Sequence, residues 1–188
     1  MGARAYRLGK REGQARRTRS GILKAARDLV AAGRGESPSV GAVASRAGVS
    51  RLTVYHHFNS KEGLLDALAA EAQRAGGGPD RAPASGNPRQ DLERALGAAC
   101  AGWASDPSLF RRLPPIAGGG GDASEGRSLA ERLAAADELR AGCSIKEAED
   151  VIALLTSFAT FDRLHQDGRR SAATVAGILM RLAAAILA

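Results

Sequence analysis

The stretch AGVSRLTVYHHFNSKEGLL, residues 47–65, decides the fold. Ser50 is a good N-cap for a helix over 51–58, because its hydroxyl can accept a backbone N–H that the first turn leaves without a partner. Gly48 ends the preceding helix, whose candidate N-cap is Ser39. Two short helices joined by a Gly-containing turn predict a helix-turn-helix, in which the second helix can enter the DNA major groove.

The two sides of the helix over 51–58 can be assigned, because successive residues lie 100° apart. Val54 and Phe58 lie close together and are predicted to face the core. The opposite side carries polar and aromatic groups, one apolar group and no carboxylate: Leu52, Thr53, Tyr55, His56 and His57. Arg51, in the first turn, lies nearer the buried side, but its long side chain could still reach a guanine edge.

Composition favours helices throughout the chain. Val, Ile and Thr number 7, 6 and 5, against 20 Leu and a large excess of Ala. Strands favour β-branched and aromatic side chains, while Ala and Leu lead the helix scale. Apolar spacing and the Gly and Pro breaks predict an all-α fold of about nine helices. Their predicted ranges are 18–33, 39–47, 50–58, 59–75, 89–105, 107–113, 126–141, 145–166 and 171–187.

A Gly- and Pro-rich stretch, residues 75–90, divides the chain into two halves. Residues 1–16 show no apolar helical period and are predicted to be a basic flexible arm. Residues 17–75 are predicted to form the helix-turn-helix DNA-binding domain together with a connecting fourth helix. Residues 88–188 are predicted to form a second helical domain.

Positive charge is concentrated at the N-terminal end. The chain has a formal net charge of +7, and residues 1–75 hold 14 Lys+Arg against 6 Asp+Glu. Residues 76–188 hold 13 against 14. A basic end beside a near-neutral end favours phosphate binding by the basic end. The arm is interpreted either as a segment that enters the DNA minor groove or as a solubilising tail.

Residues 47–65 resemble the signature of the tetracycline-repressor (TetR) family of bacterial transcription regulators, approximately A-G-V-S-x-x-T-[LV]-Y-x-H-F-x-[SN]-K-x-x-L. Upstream, TRSGILKAA at 18–26 is similar to the first helix of that family. TSFATFDRL at 156–164 and the Leu-rich last helix resemble its final two helices. The resemblance implies that residues 88–188 are a helical ligand-binding and dimerisation domain.

The resemblance also implies roles for individual residues. Those expected to approach base edges are Arg51, Leu52, Thr53 and His56. Those expected to bind phosphates are Tyr55, His57 and Lys61, to which we add Ser39 at the start of the second helix. It further implies that a small molecule bound in the C-terminal half changes the separation of two recognition helices in a dimer and so releases the operator.

An effector pocket is a candidate site in the C-terminal half, because pockets between helices are largely apolar with a few polar groups. The candidate lining residues are Trp103, Phe110, Thr156, Phe158 and Thr160. The alternative is that the aromatic side chains are ordinary core. The sequence gives no chemical identity for an effector.

The last two predicted helices carry more apolar surface than a small domain readily buries, which predicts a two-fold dimer interface. Its predicted members are Ile152, Leu155, Val175, Ile178, Leu179, Leu182 and Ile186. The TetR resemblance implies that these two helices pair with their copies in a second subunit as a four-helix bundle.

Metal and redox sites are not expected. Cys100 and Cys143 have no ligand or disulfide spacing and are interpreted as small buried hydrophobic residues. His56 and His57 diverge by 100° on a helix, with no third ligand near in sequence. We expect no cofactor apart from an unidentified small-molecule effector. No signal peptide or membrane span is expected, so we expect a cytoplasmic, nucleoid-associated protein.

These observations predict a DNA-binding transcription regulator, a homodimeric repressor that a small-molecule effector releases from a palindromic operator. We expect no enzymatic activity, because G-x-S-x-G, H-E-x-x-H, P-loop and paired-Cys motifs are absent. Three alternatives stay open. The first is an architectural DNA-binding protein without a ligand response, and the second is a transcriptional activator. The third is an enzyme or ligand-sequestering protein whose basic end is incidental.

Overall fold

The computed structural model describes residues 3–33, 37–77, 85–114 and 123–187, with the backbone alone for residues 3–11. These residues form ten helices and no strand, which confirms the all-α prediction. In chain order the helices are α1 (Ala3–Ala32), α2 (Val40–Ala47), α3 (Arg51–Phe58), α4 (Lys61–Ala75), α5 (Pro88–Ser105), α6 (Pro107–Arg112), α7 (Ala123–Ala135), α8 (Ile145–Leu155), α9 (Phe158–Gln166) and α10 (Ala172–Leu187).

The tenth helix arises because the predicted helix over 145–166 is two helices. Ser157 is the N-cap of α9, and its hydroxyl accepts a hydrogen bond from the Thr160 backbone N–H at 3.2 Å. The Thr156 hydroxyl donates to the Ile152 carbonyl at 2.7 Å, at the end of α8. Side chains that bond to nearby backbone groups compete with helix continuation. The prediction of one continuous helix was therefore wrong.

The first helix starts much earlier than predicted. α1 begins at Ala3, so residues 3–16 are helical and the predicted flexible arm is wrong for them. Ala, Arg, Lys, Leu, Gln and Glu predominate in this segment and it has no proline, so local propensity favours a helix even without an apolar stripe. Exposed pairs one turn apart lie along it, including Arg16 with Glu12 at 3.8 Å and Arg17 with Gln14 at 3.1 Å.

The described residues group into two compact units. Unit 1 comprises those within Met1–Leu68 and Arg111–Pro114, and unit 2 comprises those within Ala69–Phe110 and Pro115–Ala188. The division falls inside α4, whereas the sequence placed the boundary in the Gly- and Pro-rich stretch. Residues 78–84 of that stretch lie outside the described residues. The functional domain ranges 17–75 and 88–188 stay predictions.

Unit 1 is built on the C-terminal part of α1. Its inward-facing side chains repeat at helical spacing, and α2 packs directly on it. The buried residues of the four helices that meet in this unit include Ile22, Ala26, Val30, Val43, Val54, Phe58 and Leu64. Arg112 belongs to the short segment 111–114, which is part of unit 1 although it follows residues of unit 2 in the chain. Its guanidinium donates to the carbonyls of Val30 at 3.0 Å and Ala31 at 2.6 Å. These carbonyls are in the last turn of α1, where no helical N–H follows to bond them.

Unit 2 centres on α5, which packs against α10, α7 and α9. Its largest fully buried side chains include Trp103, Phe161, Leu96 and Leu179. At the polar edge, the Asp91 carboxylate pairs with Arg94 on α5 and with Arg132 on α7. The hydrogen bond from Arg132 is the main reason why the pKa of Asp91 lies far below its usual value. None of the helices in the described ranges has the length and apolar character of a membrane span.

Candidate functional site

The helix-turn-helix forms because each of its short helices is closed by a side-chain or backbone cap. The Ser39 hydroxyl accepts from the Ala42 N–H at 3.1 Å and starts α2. Gly48 ends α2 at φ 67°, a left-handed conformation that glycine adopts without steric cost. The Ser50 hydroxyl then accepts from the Thr53 N–H at 3.0 Å and starts α3. The caps at Ser39, Gly48 and Ser50 are those that the sequence predicted.

Two side chains anchor α3 to unit 1. Val54 is completely buried and Phe58 almost so, one helical turn apart. The guanidinium of Arg19, on α1, lies 4.3 Å from the centroid of the Phe58 ring and donates to the His57 carbonyl at 3.1 Å. The C-terminal end of α3 is therefore held by an apolar contact, a cation–π contact and a hydrogen bond from a neighbouring helix.

The opposite side of α3 is open to solvent. Leu52 is 78% exposed and Tyr55 45% exposed, while Arg51 and His56 are also exposed. An apolar side chain this exposed on a short helix is available to contact a thymine methyl group. Thr53 is half-buried, and its hydroxyl lies 2.9 Å from that of Ser50. The base-contacting roles of Arg51, Leu52, Thr53 and His56 stay predictions.

The Arg51 side chain packs against Gly41 of α2. A Cβ placed on Gly41 would lie 2.8 Å from one guanidinium nitrogen of Arg51, so that the side chain packs along the backbone of α2. Because Gly41 has no side chain, the guanidinium can lie close to the first turn of α2. Arg51 is already exposed, so rotation about its side-chain bonds is enough to carry the guanidinium to the outward side of α3.

The predicted phosphate-binding residues are spread over α2, α3 and the start of α4. Ser39 and Tyr55 are exposed, and His57 and Lys61 are half-buried. Partial burial lowers the pKa of His57, and the nearby His56 and Arg19 lower it further. His57 is therefore mainly neutral near pH 7 and can donate only through a ring N–H. The phosphate roles of these four residues stay predictions.

The arrangement of His56 and His57 does not suggest a shared ligand. Their ring centroids lie 5.7 Å apart with an interplanar angle of 72°. Over the described ranges, no group of three or more His, Cys, Asp or Glu side chains is placed to hold a metal ion.

The candidate effector residues of unit 2 include an aromatic cluster. Trp103 lies 5.4 Å from Phe161 and 6.2 Å from Phe158, and Phe110 lies 5.4 Å from Phe158, between ring centroids. Trp103 and Phe110 are buried and Phe158 is half-buried. Phe161, an aromatic residue of the same half for which core packing or a place in the pocket were both open, is fully buried at the centre of the cluster. Aromatic pairs at these separations and tilts contribute to core stability.

The two predicted polar groups of the pocket are already engaged. The Thr156 hydroxyl donates to the Ile152 carbonyl, and the Thr160 hydroxyl donates to the Leu154 carbonyl at 2.9 Å. Both hydroxyls therefore bond to carbonyls at the C-terminal end of α8, where the chain turns into α9. The assignment of an effector to these residues stays a prediction.

Gln73 is a polar residue of unit 2 that the sequence analysis missed. It is only 6% exposed, and its side-chain amide nitrogen has no hydrogen-bond partner. Its side chain lies against the backbone of Gly102 on α5, the residue before Trp103. The missed signal is its position, since Gln73 is four residues after Ala69 and eight after Leu65 on the apolar stripe of α4.

The predicted dimer interface needs correction. Ile152, Leu155, Val175 and Leu179 are at most 3% exposed within the protomer, because α5, α8 and α10 pack on one another. They belong to the core of unit 2 and leave little surface for a partner. Leu182 is 44% exposed and Ile178 half-buried, so both can still contribute, whereas the side chain of Ile186 lies outside the described residues. Leu154, 63% exposed on α8, was not predicted.

Comparison with known proteins agrees with this geometry. Residues 22–68 match the model of a family described as bacterial regulatory proteins, tetR family. A search of curated proteins gives no match. Among solved structures, TylP, a TetR regulator from Streptomyces fradiae, is 22% identical with a TM-score of 0.58, over 95% of this chain and 88% of that chain.

Two further solved structures are similar over most of the chain. A putative TetR-family transcriptional regulator from Rhodococcus sp. is 22% identical with a TM-score of 0.56, over 91% of this chain and 98% of that chain. A structure concerned with control of antibiotic production by bacterial hormones is 23% identical with a TM-score of 0.53, over 91% and 97%. At these identities the likeness establishes the fold.

The two capped helices and the exposed side of α3 form a helix-turn-helix, the arrangement of a DNA-binding domain. The family model matches residues 22–68, about a quarter of the chain, so this segment is similar to the tetR family of bacterial regulatory proteins. The solved structures share the all-helical fold.

Proposed function

We propose that this chain is a repressor that binds a palindromic operator as a homodimer and is released by a small-molecule effector. The observation that carries the proposal is the exposed side of α3, where side chains able to contact bases and phosphates project from a helix held by Val54 and Phe58. An exposed set of this kind, on a rigid element, is suited to reading base edges in the major groove.

A dimer is supported by the apolar groups that remain exposed on unit 2. Leu154 on α8 and Leu182 on α10 are both exposed, and α8 and α10 pack on each other. A two-fold pairing would cover these side chains. It would also place two copies of α3 on a symmetric DNA site, which is why we expect a palindromic operator.

A small-molecule effector is supported by the aromatic cluster and by Gln73. The cluster supplies apolar surface in unit 2, and Gln73 supplies a buried N–H group that lacks an acceptor. A ligand with an acceptor oxygen beside an apolar group would satisfy both. Coupling between effector and operator is reciprocal, so a ligand that weakens operator binding is itself bound more weakly by the DNA complex. Repression follows if the operator overlaps a promoter, and we expect the chain to have no enzymatic activity.

The proposal is tested by selecting bound DNA from random sequence with the full chain. The expected result is two inverted half-sites at a fixed separation, because a dimer presents two recognition helices. Selected DNA without symmetry would contradict the dimeric operator complex. Broad enrichment without a motif would instead indicate an architectural DNA-binding protein.

The same selection tests the role of Arg51. The Arg51→Ala variant is expected to lose about 1–3 kcal/mol of binding free energy at one guanine position and to relax selectivity there. Arg46→Ala is the matched control, because Arg46 is exposed on α2 and pairs with Asp28 of α1 at 3.3 Å. Equal weakening on all sequences by Arg51→Ala would reassign the residue to the DNA backbone.

Gln73 gives a test that does not require the effector to be known. The Gln73→Leu variant is expected to raise the free energy of unfolding by about 1–3 kcal/mol, because it removes a buried donor without a partner. Urea unfolding followed by circular dichroism measures the change. Gln90→Leu, at an exposed position of α5, is the control and should change it by less than about 0.5 kcal/mol. Destabilisation by Gln73→Leu would show that the amide is needed in the ligand-free protein.

A further inference from the structure

The N-terminal part of α1 extends away from the residues that pack in unit 1. Among the side chains that the structure describes in α1, which start at Glu12, the first buried one is Ile22, although the helix begins at Ala3. From Glu12 to Gly21 every side chain is exposed or half-buried. At 1.5 Å per residue, the segment from Ala3 to Gly21 is about 28 Å long. We call residues 3–21 the α1 extension.

The α1 extension carries most of the net charge of the chain. It contains seven Lys or Arg and one Glu, whereas the chain as a whole has a net charge of +7. Arg16 is paired with Glu12 at 3.8 Å, but its side chain is 82% exposed, and such pairs contribute little. A helix without tertiary packing is marginal in water, and like charges weaken it further. A polyanion would remove that repulsion.

The α1 extension is continuous with the DNA-binding surface. Arg19, near its end, donates to the His57 carbonyl and lies over the Phe58 ring, so α1 meets the C-terminal end of α3 at this point. The α1 extension joins the packed part of unit 1 beside α3, so it starts close to any duplex that α3 contacts. DNA phosphates are therefore the polyanion favoured by position as well as by charge.

The helical form limits how the α1 extension can contact DNA. An α-helix with its side chains is about 10–12 Å in diameter, and the minor groove of B-DNA is about 6 Å wide. The extension cannot enter the minor groove as a helix. Long Lys and Arg side chains can reach phosphates from a helix that lies across the backbone.

We propose that the α1 extension is a second DNA-binding element, which binds the phosphate backbone beside the operator half-site without reading sequence. This inference rests on the DNA-binding function of the chain. It assigns salt-dependent affinity to the extension and base selectivity to α3.

The test compares two full-length variants with equal loss of charge. One replaces Lys10, Arg11, Arg16 and Arg17 with Gln, which keeps a strong helix former at each position. The control replaces four exposed cations of unit 2 with Gln: Arg140, Arg163, Arg169 and Arg181. Binding to the selected operator is measured between 50 and 200 mM salt. The slope of log K against log salt is negative, and the extension variant should reduce its magnitude by about 2–4, because each phosphate contact contributes about 0.9.

The outcomes separate this inference from the proposed function. The control should leave the slope unchanged, and both variants should select the same base motif as the parent. An unchanged slope in the extension variant would overturn the inference while leaving operator binding by α3 intact. Failure of the parent chain to select any DNA would instead overturn the function.

Two further measurements exclude other modes of binding. The minor groove distinguishes A·T from G·C pairs, but a helix that binds only phosphates does not contact it. Replacing A·T by G·C pairs in the DNA that flanks the half-site should therefore not change affinity. A change seen with the parent and absent from the extension variant would show that the segment unwinds into the minor groove. Loss of binding to phosphatidylserine vesicles by the extension variant, with an unchanged DNA slope, would assign the segment to a membrane surface.

Discussion

Replacing Phe58 with alanine is expected to lower the free energy of unfolding by about 3–5 kcal/mol, because it removes a large side chain from the core of unit 1. The substitution also removes the ring with which the Arg19 guanidinium makes a cation–π contact. The recognition helix is then held by Val54 and its caps, so operator binding should be lost together with stability. Hydrogen exchange of the α3 amides and urea unfolding measure the two effects.

The matched control for Phe58→Ala lies on the same helix. Leu52→Ala removes an apolar side chain that is 78% exposed, so it should change the free energy of unfolding by less than about 0.5 kcal/mol. It should nevertheless weaken binding at one A·T position if Leu52 contacts a thymine methyl group. If Leu52→Ala destabilised the protein as much as Phe58→Ala, the assignment of buried and DNA-facing sides would be wrong.

Trp103→Ala is expected to cost about 3–5 kcal/mol in unit 2, because the ring is 1% exposed and contacts two phenylalanines. The substitution leaves an apolar cavity, and dry apolar cavities bind small aromatic molecules. Indole at millimolar concentration should therefore recover part of the lost stability. Because Trp103 is the single tryptophan of the chain, the variant has no tryptophan fluorescence to follow. Unfolding is therefore measured by circular dichroism.

The control for Trp103→Ala is Ile145→Ala, at an exposed position of α8, which should have a small effect and no response to indole. A small loss of stability in Trp103→Ala would indicate that the ring lines a space already open to a ligand. A large loss without any recovery by indole would indicate that unit 2 collapses around the missing ring.

The recognition helix could be predicted almost completely because its signals are local. Ser39, Gly48 and Ser50 act through hydrogen bonds and dihedral angles within four residues. Val54 and Phe58 are buried because of their angular positions on one helix. Neither prediction required knowledge of how distant segments pack.

Predictions failed where the outcome depends on distant or competing interactions. Ser157 caps α9 although the apolar pattern continues past it, and a pattern cannot decide between a cap and a helix interior. Ile152 and Val175 are buried against other helices of their own protomer. From the sequence alone, an apolar stripe that packs within the protomer cannot be distinguished from one that packs against a second subunit. Gln73 was missed because a polar residue on an apolar stripe indicates burial only after the neighbouring helix is placed.

The hydrogen bonds from Arg112 to the end of α1 have a consequence for how this protein is divided and made. Residues 111–114 complete unit 1, and Leu113 is buried there, although more than forty residues of unit 2 come between them and Leu68 in the chain. A fragment that stops at residue 75 would contain every side chain predicted to contact DNA but would leave the last carbonyls of α1 without these donors. During synthesis, likewise, unit 1 is incomplete until residue 114 has emerged from the ribosome.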